Sequence, residues 1–292
     1  MSSLDSFNDI LRPDEPLAPL TWLKVGGSAK YLAEPTDADQ LQALVQCCND
    51  NGVAVRVLGS GSNLLVSDDG FDGVVIRLTA ESFSAITVDG TTVTAAGGAM
   101  LSNVVTESVK AGLAGLEQLA GIPGTIGGAI HGNAGTRQAD IGNYITGVSV
   151  LTATGERREL AEDALTLSYR NSSVDELAVL SCTLELKHDD ADAITDRMRK
   201  VWIMKKATQP LSSQSAGCVF KNPRGLSAGD LIEQAGLKGT RIGGAEISDR
   251  HANFIVTSET ATSSDVLQLI DRARDAVAEQ FGVELEQEIQ VW

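Results

Sequence analysis

Two glycine-rich stretches carry the residue types that could bind a phosphorylated ligand. The first, residues 115–135, reads GLEQLAGIPGTIGGAIHGNAG and contains seven glycines and no lysine. Glycine admits positive φ angles and leaves backbone N–H groups open to the phosphates of a ligand. The stretch is too rich in glycine for a helix, because each interior glycine costs about 0.5–1 kcal/mol relative to alanine, and too apolar for a flexible linker. The alternative is a set of tight turns that pack strands together.

The second stretch, residues 59–73, reads GSGSNLLVSDDGFDG and follows an apolar strand pattern. Its backbone N–H groups and the hydroxyls of Ser60 and Ser62 could hold a pyrophosphate. It is not a Rossmann fingerprint, because the third glycine is missing and a strand, not a helix, follows. It also lacks the GKS or GKT of a Walker loop. Taken alone, the stretch is compatible with a phosphate cradle or with an ordinary turn.

A single thiol lies in an unusual setting at Cys218, within SAGCVFKNP (residues 215–223). Lone cysteines are most often small buried apolar residues. A thiol nevertheless has a pKa of roughly 8.5, far below that of an aliphatic hydroxyl, so it could donate a proton near neutral pH. The lysine and asparagine that follow place a cation and an amide within a few residues of it.

The remaining polar candidates are not diagnostic by themselves. Arg170, in LSYRNSS, would usually form a surface ion pair, and Glu288 would usually be a solvated side chain. His131, His188 and His251 are scattered and have no metal-ligand spacing, so no metal site is predicted.

Composition limits the classes of partner. The 292-residue chain is 42% hydrophobic and 21% charged, with a formal net charge of −16. This charge argues against nucleic acid or an anionic membrane surface as a partner. The N-terminal residues do not resemble a secretory signal, and no run of apolar residues is long enough to span a bilayer. The four cysteines, Cys47, Cys48, Cys182 and Cys218, have no disulfide or metal-ligand spacing. We therefore expect a cytoplasmic protein whose thiols are reduced.

Periodicity and turn signals predict five helices among short strands. A capping box at Thr36 and Asp39 begins a helix that runs to about Asp50. The other helices are predicted at about 101–112, 191–207, 228–236 and 263–281. On the third of these, the buried side is predicted to contain Ile194, Met198, Val201 and Trp202.

Hairpins are predicted in residues 86–98 and 145–160. The last strand, within residues 283–292, alternates, with one face made of Val283, Leu285, Ile289 and Val291. An acidic run at residues 188–195 predicts a domain boundary. The pattern predicts an α+β fold with mixed sheets.

Eight pieces of the sequence together resemble the UDP-N-acetylenolpyruvoylglucosamine reductase (MurB) family of peptidoglycan synthesis. In order they are TWLKVGG, LGSGSNLLVSDDGFDGVVI, GLEQLAGIPGTIGGAIHGNAG, SYRNSS, AGCVFKNP, AGDLIEQAGLKG, IGGAEISDRHANFIV and LEQEI. They extend from about residue 21 to residue 289. The combination of GIPGTIGGA, NAG and FKNP is specific, whereas no single piece is.

This resemblance implies an α+β chain in which an FAD-binding fold of the vanillyl-alcohol oxidase (PCMH) type precedes a smaller α+β substrate-binding domain. We therefore expect a lead-in over residues 1–20, an FAD-binding domain of two α+β lobes over 21–190, and the substrate-binding domain over 191–292. The short span between LELK and AGCVFKNP favours the subtype of the family that lacks an extra substrate-closing loop.

The resemblance also implies FAD as the bound cofactor and NADPH as the electron donor. Backbone dipoles, and not lysines, would face the FAD pyrophosphate. The residues that match the cofactor-binding motifs are Gly59, Ser60, Gly61, Ser62, Asn63, Gly121, Ile122, Pro123, Gly124, Gly127, Gly128, Asn133, Ala134 and Gly135.

The implied reaction reduces UDP-N-acetylglucosamine enolpyruvate to UDP-N-acetylmuramate. Hydride reaches the enolpyruvyl methylene carbon, and the resulting enolate is then protonated. By resemblance, Arg170 polarises the substrate carboxylate, Glu288 pairs with that arginine, and Cys218 donates the proton. The residues that match substrate-side positions are Tyr169, Lys221 and Asn222.

Two departures from the usual family pattern stand out. Cys218 occupies a position where serine is commoner, and a thiol is the stronger acid but is open to oxidation. The loop NAGTRQADIG lacks the glycine that usually follows its small residues, so its shape is expected to differ.

Two other functions are compatible with the residues. A sugar or alcohol oxidase of the same fold could tether FAD through a histidine, for which His131 is the candidate. A catalytically silent nucleotide-binding module would use the glycines for packing only. We expect a monomer, because no segment resembles an obligate interface.

Overall fold

The computed structural model describes residues 4–136 and 138–292 of the chain. Residues 1–3 of the predicted lead-in, and Arg137 in the loop NAGTRQADIG, lie outside the described residues. The helices are α1 (Ala38–Asp50), α2 (Leu101–Lys110), α3 (Ile126–His131), α4 (Ala191–Thr208), α5 (Ala228–Gln234) and α6 (Ser263–Phe281).

The strands are short and are distributed along the whole described chain. They are β1 (Leu11–Pro16), β2 (Ser28–Ala33), β3 (Val55–Val57), β4 (Leu64–Leu65), β5 (Phe71–Ile76), β6 (Ile86–Asp89), β7 (Thr92–Ala96), β8 (Leu113–Ala114), β9 (Ile145–Leu151), β10 (Arg157–Ala161), β11 (Leu167–Ser168), β12 (Asn171–Ser172), β13 (Ala178–Glu185), β14 (Lys187–His188), β15 (Arg241–Ile242), β16 (Ala245–Ile247), β17 (Ile255–Thr257) and β18 (Gln290–Val291).

The chain divides into two compact units. The first unit comprises the described residues up to Pro13, then Lys30–Ser60 and Asp72–Met204. The second unit comprises Asp14–Ala29, Gly61–Phe71 and Lys205–Trp292. Each unit is built from segments that are separated in the sequence.

The first unit contains a five-stranded antiparallel sheet in the order β10-β9-β13-β7-β6. Alternate apolar residues of these strands point to one side and pack with α2 and α3 in a buried cluster. This cluster includes Val93, Val148, Leu184, Val104 and Ile130. The buried sheet face thus supports the helix α3 that lies within the first glycine-rich stretch.

A four-stranded sheet in the order β1-β2-β5-β3 and helix α1 form the other core of this unit. Helix α1 begins one residue later than the capping box predicted, because Asp37 is its N-cap. The carboxylate of Asp37 accepts hydrogen bonds from the N–H groups of Asp39 and Gln40 at 2.9 and 2.8 Å. The side chain of Gln40 in turn accepts a hydrogen bond from the N–H of Thr36 at 2.8 Å. The helix therefore has the two hydrogen bonds of a capping box, but Asp37 and Gln40 make them in place of Thr36 and Asp39.

The second unit is organised by helix α6 on the three-stranded antiparallel sheet β15-β16-β17. Helix α6 has the capping box that its sequence predicts, with Thr262 as N-cap and Asp265 as the reciprocal residue. It ends at Gly282, whose φ of 65° is left-handed. A parallel pair, β18 with β4, joins residues 290–291 to residues 64–65.

Three sequence predictions about elements are wrong. Residues 115–135 contain a helix, α3, where glycine content argued against one. On α4, Ile194 is buried but Trp202 is 47% exposed, so the predicted apolar side is only partly covered. The terminal segment forms a regular strand only at Gln290–Val291, and Val291 is exposed, although Leu285 and Ile289 are buried as predicted.

The described residues contain no candidate for a membrane-spanning helix or for a cluster of metal ligands. None of the helices there is long and apolar enough to cross a membrane. Histidine, cysteine, aspartate and glutamate side chains form no group of three or more that could hold a metal ion within the same residues.

Candidate active site

The first unit brings the two glycine-rich stretches into contact at Gly59. A Cβ built on Gly59 would lie 2.9 Å from Oγ1 of Thr125, which is closer than a Cβ approaches a neighbour. Thr125 is the N-cap of α3, and its hydroxyl accepts a hydrogen bond from the N–H of Gly128 at 3.4 Å. The side chain of Thr125 therefore packs directly on the backbone of Gly59, because residue 59 has no side chain.

Several N–H groups along this edge are available to a ligand. Gly121 and Gly124 have φ angles of 73° and 135°, a region that side chains rarely adopt. No described residue accepts a hydrogen bond from the N–H of Gly59, Gly121 or Gly124. Gly124 is buried, and leaving a buried N–H unpaired costs about 1–3 kcal/mol. A pyrophosphate oxygen is the kind of acceptor that would satisfy these donors, so the cradle fits the FAD that the sequence implies.

Other predicted cofactor residues use their N–H groups within the fold. The N–H of Gly127 donates to the carbonyl of Gly97 at 2.8 Å, and a Cβ at Gly127 would lie 3.2 Å from that same oxygen. The N–H of Gly128 is taken by Thr125. These two glycines permit close packing of α3 on residues 97–99, and a direct contact with the cofactor stays a prediction for them.

Ile122, Pro123 and Ala134 supply apolar surface next to the same main chain. Ile122 and Ala134 are half-buried and pack against the core of the first unit. Their N–H groups donate to Leu119 at 3.0 Å and to Ala129 at 2.7 Å. Pro123, also half-buried, has no N–H to donate.

Asn133 connects the glycine-rich stretch to the loop that carries Tyr169 and Arg170. Its side chain donates to the carbonyl of Ser168 at 2.7 Å and accepts from the N–H of Gly142 at 3.0 Å. Asn133 is buried and has a φ of 40°. The amide therefore serves the protein itself and fixes the position of the chain just before Tyr169.

Arg170 is held at both ends. Its backbone φ is 52°, an uncommon value for a residue with a side chain. Its Nη2 donates to the carbonyl of Gly135 at 2.7 Å, and its Nη1 lies 3.7 Å from Oδ1 of Asp140. The guanidinium carbon lies 5.1 Å from the ring centre of Tyr169. The side chain is only 19% exposed, so a cation is fixed at a defined place in the first unit.

The second unit brings Cys218 and Glu288 onto neighbouring main-chain segments. The N–H of Glu288 donates to the carbonyl of Val219 at 2.8 Å, directly after Cys218. Cys218 itself pairs with Phe254 in an antiparallel bridge and is half-buried. Glu288 is half-buried as well.

Residues 61–63 also belong to the second unit. Gly61 is buried with a φ of 65°, and a Cβ there would lie 2.4 Å from the carbonyl oxygen of Leu20. Ser62 is half-buried, as is Ser60 in the first unit. The side-chain amide of Asn63 donates to the carbonyl of Glu288 at 3.1 Å. Asn63 therefore anchors the segment that carries the predicted catalytic glutamate.

The two predicted substrate residues after Cys218 have partners within the second unit. Nζ of Lys221 lies 2.6 Å from Oε1 of Glu286, whose side chain is 72% exposed. Oδ1 of Asn222 accepts a hydrogen bond from the N–H of Ala228, at the beginning of α5, at 2.9 Å. An exposed carboxylate can leave its partner when a diphosphate arrives, because exposed ion pairs contribute about 0–1 kcal/mol.

Sequence reasoning missed two residues of this site. Thr125 links the two glycine-rich stretches, and its position just before IGGAIH was an N-cap signal. Asp140 faces Arg170 from the loop NAGTRQADIG, and no spacing rule pointed to it, since the contact is made across a hairpin.

The class of protein follows from this fold and cradle. Residues 29–161 match a family model described as an FAD binding domain. The fold is shared with a solved glucose dehydrogenase, Phl p 4.0202, with a TM-score of 0.50 at 18% identity over 63% of this chain and 42% of that one. The chain therefore belongs to the class of proteins with the FAD-binding fold that the sequence implied.

The rest of the chain defines the family. Residues 209–292 match the model described as UDP-N-acetylenolpyruvoylglucosamine reductase, C-terminal domain. The reductases of that name from Moorella thermoacetica and Symbiobacterium thermophilum are each 42% identical to this chain, over 96% and 97% of it and 92% of their own lengths. The crystal structure of the reductase from Thermus caldophilus superimposes with a TM-score of 0.83 at 38% identity, over 97% of this chain and 99% of that one.

This chain belongs to the UDP-N-acetylenolpyruvoylglucosamine reductase family. Its function is the NADPH-dependent reduction of UDP-N-acetylglucosamine enolpyruvate through bound FAD, in peptidoglycan precursor synthesis. The family assignment confirms the predicted cofactors and overturns both alternatives, the oxidase and the silent module.

Proposed function

We propose that the reaction of this chain is carried out by Arg170, Glu288 and Cys218 beside an FAD held by the glycine-rich stretches. The observation that carries the proposal is the set of N–H groups without an acceptor at Gly59 and Gly124 in the first unit. FAD, when bound, supplies a carrier that takes hydride from NADPH and delivers it to the enolpyruvyl group. All other steps fall to side chains and backbone of the chain.

Binding of FAD is assigned to main chain more than to side chains. We assign pyrophosphate contacts to the N–H groups of Gly59, Gly61, Gly121 and Gly124 and to the hydroxyls of Ser60 and Ser62. Close packing beside the cofactor is assigned to the remaining predicted positions, which are Asn63, Ile122, Pro123, Gly127, Gly128, Asn133, Ala134 and Gly135.

Arg170 has the role of stabilising negative charge on the substrate. A carboxylate next to the enolpyruvyl double bond gains charge as the enolate forms, and a fixed guanidinium offers planar hydrogen bonds to it. The support is the low exposure of Arg170 and its fixed backbone. Glu288 is assigned as its acidic partner in the reaction.

Cys218 is assigned as the proton donor that quenches the enolate. Its thiol is half-buried, in contrast to the other three cysteines, which are buried. Proton donation from a fixed residue determines the face on which the new stereocentre forms.

Tyr169, Lys221 and Asn222 are assigned to the substrate. Lys221 would exchange its exposed partner Glu286 for the UDP diphosphate. Tyr169 is 45% exposed, and its ring offers a flat surface for a sugar or a base. Asn222 is held next to Lys221 by the hydrogen bond that its Oδ1 accepts from the N–H of Ala228 in α5.

The finer statements about organisation belong to the same proposal. We assign FAD binding to residues 21–190 and substrate binding to residues 191–292, which agrees with the residues that the two family models match. The thiol pattern supports a cytoplasmic location, and we propose a monomer because no segment of the sequence resembles an obligate interface. The span between β14 and Cys218 is occupied mainly by α4, which supports the subtype without the extra loop.

The test follows the two halves of the reaction separately. The purified holoenzyme is expected to show flavin absorbance near 450 nm and to oxidise NADPH continuously only when UDP-N-acetylglucosamine enolpyruvate is present. In stopped-flow traces, Arg170→Ala is expected to leave flavin reduction by NADPH within about 2-fold and to slow flavin reoxidation by the enolpyruvyl substrate at least about 100-fold. Normal reoxidation in Arg170→Ala would remove the assigned role.

A further inference from the structure

We propose that Asp140 is the positioning residue of Arg170, a role that rests on the function proposed for Arg170 above. A guanidinium at the end of a long side chain has many accessible positions. It can stabilise a developing charge only if its orientation is fixed before the reaction. The structure shows two groups that restrain its far end, and both come from one short hairpin.

That hairpin joins the glycine-rich stretch to the start of the antiparallel sheet. Gly135 and Asp140 face each other in an antiparallel bridge. The N–H of Thr136 donates to Ala139 at 2.9 Å, and the N–H of Ile141 donates to Ala134 at 2.9 Å. The backbone on both sides of Asp140 is thus held by hydrogen bonds within the hairpin.

Gly135 and Asp140 contact the two ends of the guanidinium. Nη2 donates to the carbonyl of Gly135 at 2.7 Å, while Nη1 lies 3.7 Å from Oδ1 of Asp140. The Asp140 carboxylate lies directly above Gly135, because a Cβ at Gly135 would come within 1.7 Å of Oδ1. Glycine at 135 is therefore required for the carboxylate to reach the arginine.

The contact between Asp140 and Arg170 is one of charge. Oδ1 of Asp140 is buried and accepts no hydrogen bond from any described residue, and its separation from Nη1 exceeds hydrogen-bond length. A buried carboxylate oxygen needs a compensating positive charge. Arg170, with 19% of its side chain exposed against 28% for Asp140, is the cation that the structure places beside it.

The backbone supports the same arrangement from the other side. Asn133 ties Ser168 to the glycine-rich stretch, and Arg170 has a left-handed φ of 52°. Such a conformation costs on the order of 1–2 kcal/mol, so it persists only where the surroundings fix it. Once the backbone has been fixed, the carbonyl of Gly135 and the carboxylate of Asp140 together orient the charged end of Arg170.

The test compares Asp140→Asn, Asp140→Glu and Asp140→Ala in the holoenzyme. Asp140→Asn keeps the shape and removes the charge. We expect flavin reduction by NADPH to stay within about 2-fold of wild type, while flavin reoxidation by the enolpyruvyl substrate slows about 10- to 100-fold, the loss typical of a misplaced catalytic group. Asp140→Glu is expected to recover part of the rate. Asp163→Asn, at an exposed carboxylate in the same unit, is the matched control.

A second variant separates positioning from a general structural role. In an Arg170→Ala background, Asp140→Asn is expected to have no further effect on reoxidation, because it acts through the arginine. The thermal midpoint and FAD content of Asp140→Asn are expected to match those of the control. Binding of UDP-N-acetylmuramate to the oxidised enzyme, followed by the flavin spectrum, is expected to weaken at least about 5-fold in Asp140→Asn.

The outcomes distinguish this inference from the function on which it rests. If Arg170→Ala slows reoxidation but Asp140→Asn does not, the positioning role is wrong and the role of Arg170 stands. If Asp140→Asn slows reoxidation equally with and without Arg170, or slows both half-reactions together with loss of FAD, Asp140 acts elsewhere and the inference fails. If Arg170→Ala changes nothing, the proposed function itself fails.

Discussion

Cysteine chemistry separates Cys218 from the other thiols of the chain. Burial raises the pKa of Cys48 to about 11, helped by its neighbour Cys47, and raises that of Cys182 to about 12. Such thiols are almost entirely protonated and inaccessible at neutral pH. Cys218 is half-buried, so the residue that we propose as proton donor is also the thiol most open to oxidation.

Replacement of the proposed proton donor is expected to affect one half-reaction. Cys218→Ser keeps a donor of similar shape and is expected to retain substantial activity, whereas Cys218→Ala is expected to lose about 10²–10⁴-fold in product formation, the range of a general acid. Flavin reduction by NADPH is expected to be spared in both. Stopped-flow measurement of the two half-reactions decides this, and wild-type reoxidation in Cys218→Ala would contradict it.

Alkylation provides a second check at this scale. With iodoacetamide at pH 7.5, Cys218 is expected to react at least about 10-fold faster than Cys47, Cys48 or Cys182, because the thiolate is the reacting form and burial excludes the reagent. Peptide mass spectrometry at short times measures the order of modification. Cys218→Ser provides the control, in which early labelling should disappear; early labelling of Cys182 would contradict the prediction.

Among single residues, the sequence pattern predicted identities better than contacts. Arg170 and Glu288 could be proposed from the sequence because they lie in the segments SYRNSS and LEQEI that resemble the family, and their roles stay predictions. Asp140 and Thr125 could not, because each meets its partner across a turn or between two stretches far apart in the sequence. The spacing of residues in the sequence does not predict such long-range contacts, because they depend on the path of the backbone.

At the scale of elements, helix α3 shows how tertiary packing overrides propensity. Gly127 and Gly128 disfavour a helix by their intrinsic propensity, but Ile126 and Ile130 are fully buried. Burying each such side chain contributes about 1.5–3 kcal/mol, more than the glycine cost. The N-cap hydroxyl of Thr125 adds to this. The prediction failed because propensity was summed without the burial that only the fold reveals.

Gly59→Ala tests the contact between the glycine-rich stretches. The added methyl group would meet Oγ1 of Thr125 at 2.9 Å, so Thr125 must move and the beginning of α3 with it. We expect FAD affinity to fall at least about 10-fold, because the Thr125 side chain that caps α3 is packed too closely on Gly59 to accept a methyl group without a shift. Fluorescence titration of the apoprotein with FAD measures this.

Gly147→Ala is the matched control, because a Cβ there makes only an ordinary contact, 3.7 Å from the carbonyl of Leu160. Equal FAD affinity in Gly59→Ala and Gly147→Ala would exclude a role for the close approach at Gly59.

The capping box of α6 predicts a dependence of stability on pH. Hydrogen bonds from the N–H groups of Thr262 and Gly244 hold the pKa of Asp265 below its usual value. A carboxyl group with a lowered folded pKa adds stability above its unfolded pKa of about 3.9, and this is lost as the pH falls through the folded value. Asp265→Asn is therefore expected to lower the free energy of unfolding at pH 7 and to differ less from wild type near pH 3.

Urea unfolding of the holoenzyme at the two pH values measures this difference. Thr262→Ala is expected to cost about 1 kcal/mol, as an N-cap does, and Glu279→Gln, on the exposed side of α6, is expected to change little. A loss in Asp265→Asn that is as large at pH 3 as at pH 7 would contradict the assignment to charge.

At the scale of the whole molecule, the chain has a net charge of −16 and still binds an anionic cofactor. The glycine-rich stretch at 115–135 contains no lysine. Backbone N–H dipoles allow an acidic protein to bind an anion, because they point at the bound phosphates and do not alter the net charge of the chain. Loss of the cofactor should therefore expose unsatisfied main chain and weaken the first unit.

Removal of FAD is expected to lower stability by about 2.7 kcal/mol relative to protein with FAD at 100 times its dissociation constant. Differential scanning calorimetry of apoprotein and reconstituted protein measures the effect. Acid precipitation is expected to leave all flavin in the supernatant, because the family assignment excludes the alternative of an oxidase that attaches its FAD covalently through a histidine. Equal thermal midpoints with and without FAD would contradict the proposed cradle.

The division into units was the least predictable feature of the fold. The acidic run at residues 188–195 suggested one boundary, whereas compactness assigns Asp14–Ala29 and Gly61–Phe71 to the second unit. Their pairing depends on contacts such as that between Asn63 and Glu288, which lie 225 residues apart. A run of charged residues indicates only that a segment is exposed to solvent. It does not predict that residues 14–29 and 61–71 will pack with residues 205–292.

This discontinuity sets an order for biosynthesis. The described segments of the first unit have all been translated once Met204 is made, whereas residues 14–29 and 61–71 must wait for residues 205–292 before their own unit can close. A nascent polypeptide stalled on the ribosome near residue 204 would thus contain every described segment of the first unit, whereas residues 14–29 and 61–71 would lack the last and largest segment of theirs. Chaperones that bind exposed apolar segments would have these two as their natural targets during that interval.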